Sequence, residues 1–330
     1  MSRPRGTTGL DGILILAKPP GPTSHDMVAL VRRLTGVRRV GHGGTLDPFA
    51  SGVLPIFLGQ ATRVVEYHLG DRKTYRATIC FGARSTTDDL EGELAPSGVA
   101  PDRAKVDVAF GGFRGQLEQR PPAFSAIKVA GRRSYALARA GVTPELKSRS
   151  VTIHRFDLVD WDGTDPERPI AVAEVECSAG TYVRALARDL GEAVGSAAYL
   201  GALVRTASGP FRVDDAVALD TVRDTAADPE AFRLLVRSPE MGLEAFPRIV
   251  LDDSDVAAVS RGQFIRPHVP LPAVADPEER LRLVDASGRL VAIALQREGR
   301  LAPEKVLVDV VPGNAAAERP EPLPTATTDA

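Results

Sequence analysis

Residues 41–58 constrain this chain more than any other stretch. Gly41-His42-Gly43-Gly44-Thr45-Leu46-Asp47-Pro48 leads through Phe49 and Gly52 into an apolar run at 53–58. Three of the first four residues are glycine, and a missing Cβ permits φ > 0 and close approach of a ligand to the backbone. Pro48 fixes its own φ and biases Asp47 away from the α region. The outcome is a carboxylate on a stiff bend just ahead of a buried strand. From spacing alone, an ordinary Asp-Pro turn accounts for these residues equally well.

Strand and helix signals surround this bend without a strict βαβ rhythm. Ile13-Leu14-Ile15-Leu16 reads as a buried strand stopped by the prolines at 19, 20 and 22. Ser24 is the expected cap of a helix with Met27, Leu30, Val31 and Leu34 on one face, closed by Gly36. Tyr75, Ala77, Ile79 and Phe81 alternate with Arg76, Thr78 and Cys80, as in a half-buried strand. Residues 126–133 read as a hairpin, and a short helix is expected from Ser134 to Gly141. Strands are expected at 151–158 and 172–177. Thr181 is the expected cap of a helix carrying Val183, Leu186 and Leu190 and ending at Gly191. This pattern predicts an α+β fold with a largely antiparallel sheet. The acidic stretch 214–244 reads as a helical connection. Beyond Phe246, strands expected at 248–251, 281–284, 290–295 and 305–310 alternate with Gly and Pro turns, the texture of a small β-rich second domain. The expected organisation is a disordered 1–9, a first domain at 10–240, a second at 246–311 and a disordered tail at 312–330.

Composition adds exclusions. With 330 residues, 43% hydrophobic and 25% charged, the chain has ordinary globular material. The net charge of −2 hides an asymmetry: +6 over residues 1–80, −1 over 81–211 and −7 over 212–330. That permits a polyanion partner on one face, although a solvated, arginine-rich surface reads the same. Cys80 and Cys177 cannot build a disulfide framework or a structural zinc site. The five histidines (His25, His42, His68, His154, His268) show no metal-ligand spacing. No Gly-rich dinucleotide loop, phosphate loop or Gly-x-Ser-x-Gly elbow occurs. The expectation is no metal, no cofactor, no membrane span and a cytoplasmic protein.

A second stretch, Gly180-Thr181-Tyr182-Val183-Arg184, puts a cation in the first turn of its helix, where it opposes the helix dipole. An acidic partner would explain it, and Asp47 is the candidate; a solvated surface arginine is the plain alternative.

Together the two stretches resemble the TruB family of tRNA pseudouridine-55 synthases, bacterial type. The resemblance rests on Gly41, His42, Gly44, Thr45, Leu46, Asp47, Pro48, Ala50, Gly52, Val53, Leu54 and Pro55. It is joined in order by Lys18-Pro19-Pro20-Gly21-Pro22-Thr23-Ser24, Lys73-Thr74-Tyr75, Pro121-Pro122-Ala123-Phe124-Ser125-Ala126-Ile127-Lys128 and the Gly180–Arg184 motif, running from about Gly12 to Phe211. The chain departs from the family pattern at Gly43 (usually Thr), Tyr199 (His in many members) and Val204 (usually Arg).

The resemblance implies a pseudouridine synthase fold and, by position and texture, a PUA-like C-terminal domain. It implies isomerisation of a T-loop uridine in tRNA, without cofactor, after the base is flipped out of its stack. Asp47 would be the catalytic carboxylate, as nucleophile or as base on a sugar proton. Tyr75 would stack on the uracil and Arg184 would pair with Asp47. Lys18, His42, Gly44, Thr45, Tyr182 and Leu203 would bind substrate or support the loop. Lys147, Arg149 and Arg205 would contact RNA, with 143–149 forming a clamp. The implied partner is the T-loop and stem of tRNA, met by a monomer, with no DNA partner. The alternatives are an RNA-folding protein using the same groove and a guide-dependent rRNA pseudouridine synthase.

Overall fold

A computed structural model describes residues 9–124, 128–129, 132–133, 146–266, 269, 271, 276 and 278–310. The helix expected from Ser134, residues 143–145 of the expected clamp and both expected disordered termini, apart from Gly9, lie outside the described residues. The chain forms two compact units, Met1–Gly242 and Leu243–Ala330.

The first unit runs β1 (Gly12–Lys18), α1 (Ser24–Thr35), β2 (Val40–His42), β3 (Ser51–Leu58), α2 (Val65–Leu69) and β4 (Lys73–Phe81). There follow a small hairpin β5 (Ala83–Ser85) and β6 (Leu94–Pro96), α3 (Arg103–Phe110), β7 (Gly115–Gln119) and a two-residue ladder β8 (Lys128–Val129) and β9 (Arg132–Arg133). It continues with β10 (Arg149–Asp162), β11 (Ile170–Cys177), α4 (Val183–Ala193), β12 (Ala198–Ser208) and β13 (Phe211–Arg212). It closes with β14 (Val217–Ala218), α5 (Leu219–Thr225), α6 (Pro229–Leu234) and β15 (Val236–Arg237). The main sheet has the order β14-β1-β3-β12-β4-β11-β10-β7, with β2 on β3, β13 on β12 and β15 on β1. Only β1/β14 and β3/β12 are parallel, so the sheet is mixed and largely antiparallel, as expected.

Two apolar clusters pack this sheet. One gathers Tyr75, Ile79, Phe81, Phe110, Phe156, Leu186, Leu190 and Leu203. The other gathers Leu14, Leu16, Val31, Leu54, Ile56, Leu58, Val222 and Phe232.

Several expectations need correction. The cap of α1 is Thr23: its hydroxyl accepts from Asp26 N, and the Asp26 carboxylate accepts from Thr23 N. Ser24 is one residue inside the helix and its hydroxyl serves the loop instead. Gly36 does close α1, at φ +69°. Thr181 does not cap α4: its hydroxyl donates to Ser178 O, and Tyr182 holds the cap position. α4 runs two residues past Gly191, where a Cβ would press on the 197–198 backbone. The 214–244 connection holds α5 and α6 but also adds β14 and β15 to the sheet edge.

The second unit has β16 (Arg248–Val250), α7 (Asp253–Ser260), β17 (Arg280–Val284), β18 (Leu290–Arg297) and β19 (Arg300–Val306), in sheet order β16-β17-β18-β19. The last strand starts earlier than the expected 305 because Glu298 and Gly299, both at positive φ, make a two-residue hairpin that pairs Arg297 with Arg300.

Candidate active site

The bend at 43–50 is held in place by groups from four directions. Lys18, at the end of β1, is 1% exposed and donates to Pro19 O (3.0 Å), Pro48 O (3.0 Å) and Ala50 O (2.7 Å). Three ammonium donors meet three carbonyls, and burial pulls the Lys18 pKa down to about 8. The Ser24 hydroxyl donates to Leu46 O and accepts from Leu46 N at 2.9 Å. Gly21 N donates to Pro48 O. Arg205, in β12, is also 1% exposed and donates to Gly44 O (3.3 Å), Thr45 O (3.2 Å) and Val53 O (2.9 Å). Gly52 sits at φ +112°, and a Cβ there would strike the Arg205 backbone, so the strand entry requires glycine. Arg205 was expected to touch RNA. Its burial and its three carbonyl partners make it a brace for the loop instead.

This bracing presents Asp47. Arg184 Nε donates to Asp47 Oδ2 at 3.0 Å, and Arg184 Nη1 lies 3.2 Å from Asp89 Oδ2 and donates to Thr87 O. The side chains of Arg184 and Asp89 are 6% and 4% exposed, while that of Asp47 is 31% exposed. One carboxylate is sealed in and the other keeps an open side. The open bend with its cation in the first turn of α4 is the arrangement expected from the sequence; Asp89 was not anticipated. Nothing local marks Asp89: it lies in no motif that the sequence singled out, and its partner is 95 residues away in the chain. Next to it, Arg188 binds Asp88 (2.8 Å), Asp189 and Arg120 O, which ties β5–β6 to α4.

Tyr75 in β4 stands opposite Arg205 in β12, and burial pushes its phenol up to about 12. It shares an apolar cluster with Leu46, Phe49, Val183 and Leu203, so a flat ring and an aliphatic side chain lie near the bend. Lys73 in β4 is buried and donates to the carbonyls of His68, Leu69 and Asp71. His42 ends β2, edge-on to His25 at 5.4 Å between centroids, with Nδ1 buried and unbonded. Desolvation, followed by His25 and Arg205, lowers its pKa, so its imidazole is neutral at pH 7. Gly43 packs on Phe57: a Cβ at 43 would lie 2.9 Å from the ring, so Phe57 fills the room a side chain would need.

Tyr182 is anchored at its backbone by Gln119, which the sequence did not flag, and Arg149 lies over its ring at 4.3 Å. Lys147 is exposed. The structure thus joins Asp47 to Arg184, Tyr75 to Arg205, and Tyr182 to Arg149; it leaves His42 beside His25. Among the described residues, no group of three His, Cys, Asp or Glu could hold a metal, and no helix is long and apolar enough to cross a membrane.

Residues 32–183 match the model of the TruB family pseudouridylate synthase N-terminal domain, and residues 184–244 match the tRNA pseudouridylate synthase B C-terminal domain. The chain is 43% identical to tRNA pseudouridine synthase B of Geobacillus kaustophilus over 267 residues, 78% of this chain and 91% of that one. It is 40% identical to that of Bradyrhizobium diazoefficiens over 307 residues, 92% of this chain and 87% of that one. Among solved structures, a chain of an H/ACA RNP bound to a substrate RNA containing 2'-deoxyuridine superposes with TM-score 0.69 at 26% identity, covering 93% of this chain and 88% of that one.

Proposed function

This chain belongs to the TruB family of pseudouridylate synthases, and from that premise we propose that it converts the T-loop uridine at position 55 of tRNA to pseudouridine. The observation that carries the reading is the Asp47–Arg184 pair, in which the cation is sealed and the carboxylate is left open on one side. The reaction is an isomerisation. The N1–C1' bond breaks, the uracil rotates, a C5–C1' bond forms, and the C5 proton is replaced by one on N1. No oxidant or reductant enters the balance.

A stacked uridine is out of reach, so the base leaves the stack at a cost of about a few kcal/mol. The neutral His42 imidazole suits the vacated space, because stacking needs a flat ring and no charge. Tyr75 stacks on the flipped uracil beside Leu203. With its pKa near 12, the phenol stays protonated at neutral pH and can hold or pass a proton near C5. Asp47 acts at the sugar, where either a nucleophile or a base needs a carboxylate with one free oxygen face. Arg184 keeps the other oxygen occupied and the carboxylate oriented. Lys147 and Arg149 meet the RNA backbone.

The test is Asp47→Asn on free tRNA without guide RNA, read by carbodiimide primer extension. The expected outcome is no pseudouridine, with tRNA affinity within about tenfold of wild type because phosphate contacts dominate binding. An active Asn variant overturns the assignment. Product from the wild type without guide RNA rules out the guide-dependent reading, and binding without product would leave the RNA-folding one.

A further inference from the structure

The start of α4 is unusual for a helix that has to fix Arg184. Its cap residue is Tyr182, which has no side-chain capping bond. Thr181 spends its hydroxyl on Ser178 O. Helix N-termini leave N–H groups without partners, and a cation in the first turn opposes the dipole. The Tyr182 N–H is nevertheless satisfied, from far along the chain. Gln119 Oε1 accepts from Tyr182 N at 2.8 Å, and Gln119 Nε2 donates to Tyr182 O at 3.0 Å. That carbonyl also takes the first helical bond, from Leu186 N. Amide and peptide thus close a two-bond ring.

Gln119 is placed for this task. It ends the edge strand β7 and is that strand's one buried residue, at 2% exposure. A buried amide is costly unless both of its ends are bonded, and here both ends go to one residue. Its cross-strand partner in β10 is Arg149, whose guanidinium covers the Tyr182 ring at 4.3 Å. Two paired residues of the sheet edge therefore fix Tyr182, one at the backbone and one at the ring. Arg184 follows two residues later and bonds Asp47.

We propose that Gln119 is a positioning residue for the reaction. It sets Tyr182 and the first turn of α4 so that Arg184 meets Asp47 in register. The proposal rests on the function proposed above.

The test uses full-length Gln119→Leu and Gln119→Glu, with Gln116→Ala on the exposed face of the same strand as control. Single-turnover pseudouridine formation, tRNA affinity and thermal midpoint are measured for each. Gln119→Leu is expected to slow the bound reaction by about 10- to 100-fold, the scale of a small misplacement at a reacting centre. Its tRNA affinity is expected to stay at the wild-type level, and Gln116→Ala to match wild type throughout. In Gln119→Glu the carboxylate still accepts from Tyr182 N but has no proton for Tyr182 O. Arg149 beside it favours the ionised form, so the second bond returns only on acidification. The rate of this variant relative to wild type should climb as pH falls. Should Gln119→Leu fail to fold, Gln119→Glu decides alone. Wild-type rate in Gln119→Leu, a loss confined to tRNA affinity, or a flat rate ratio for Gln119→Glu overturns the proposal. No product from the wild type strikes at the proposed function instead, so the two failures are told apart.

Discussion

Arg184 and Arg205 are both buried beside the same bend, yet they are held by opposite means. Arg184 sits among carboxylates, with Asp47 at 3.0 Å and Asp89 at 3.2 Å. Arg205 is bonded to backbone, through the carbonyls of Gly44, Thr45 and Val53. Lys18 follows the second pattern. A carboxylate partner can be left half-open for chemistry, because its second face is not needed to hold it. A carbonyl chelate fixes the path of the chain and offers nothing to a substrate. One cation thus orients the half-open carboxylate, proposed above as the reacting group, while the other two shape the loop that carries it.

The largest effect that could break this comparison is expected from Arg184→Met. It strands the buried Asp89 and frees Asp47, so unfolding free energy should drop by about 3–5 kcal/mol and activity should vanish. Denaturant titration beside the pseudouridine assay checks both; a stable, active variant would show that the pair is ornamental. Arg205→Met comes next. Three carbonyls lose donors, for a loss of about 2–4 kcal/mol. Activity should fall with stability, and Arg205→Lys should rescue little, because an ammonium lacks the fork that reaches all three. Salt dependence gives a sharper and smaller test. Arg205 is spent on the loop, so Arg205→Met should leave the slope of log Kd against log salt unchanged, whereas the exposed Lys147→Ala should flatten it by about one unit. Equal slopes for both would restore Arg205 to the RNA surface. The last test concerns Lys18. Its folded pKa is about 8 against 10.5 in the unfolded chain, so between those values the unfolded state binds more protons and stability rises with pH. The thermal midpoint of wild type, relative to Lys18→Met, should therefore rise from pH 8 to 10.5; a constant gap would mean that Lys18 pays no cost of burial.

Local signals carried much of the fold. The ends of β1 and α1 were legible because prolines and Gly36 act through their own φ. The alternation at 75–81 gave β4 because period 2 is a property of the chain itself. β12 was not seen, although it bonds to both β3 and β4. Its Arg205 and Gly201 resemble surface and turn residues until the carbonyls that receive Arg205 are in place. The caps of α1 and α4 were each misread by one residue, since a hydroxyl beside a helix start can serve the cap or another loop, and Ser24 and Thr181 serve loops. Asp47 and Arg184 could be paired from the sequence by charge and dipole reasoning. Asp89 and Gln119 could not, because neither lies in a motif or helix turn that calls for a partner, unlike the cation in the first turn of α4.

By itself, the sequence determined the stiff carboxylate bend, most of the strands and helices around it and, by resemblance, the family that these motifs mark. The bend and the elements follow from backbone preferences and short-range periodicity; the family follows from the resemblance of the motifs. Only the tertiary structure decided which cation pairs with the half-open carboxylate and which brace the loop. That choice depends on whether a buried guanidinium finds carboxylates or carbonyls within about 3 Å, and those groups are assembled by strand pairing across the whole first unit.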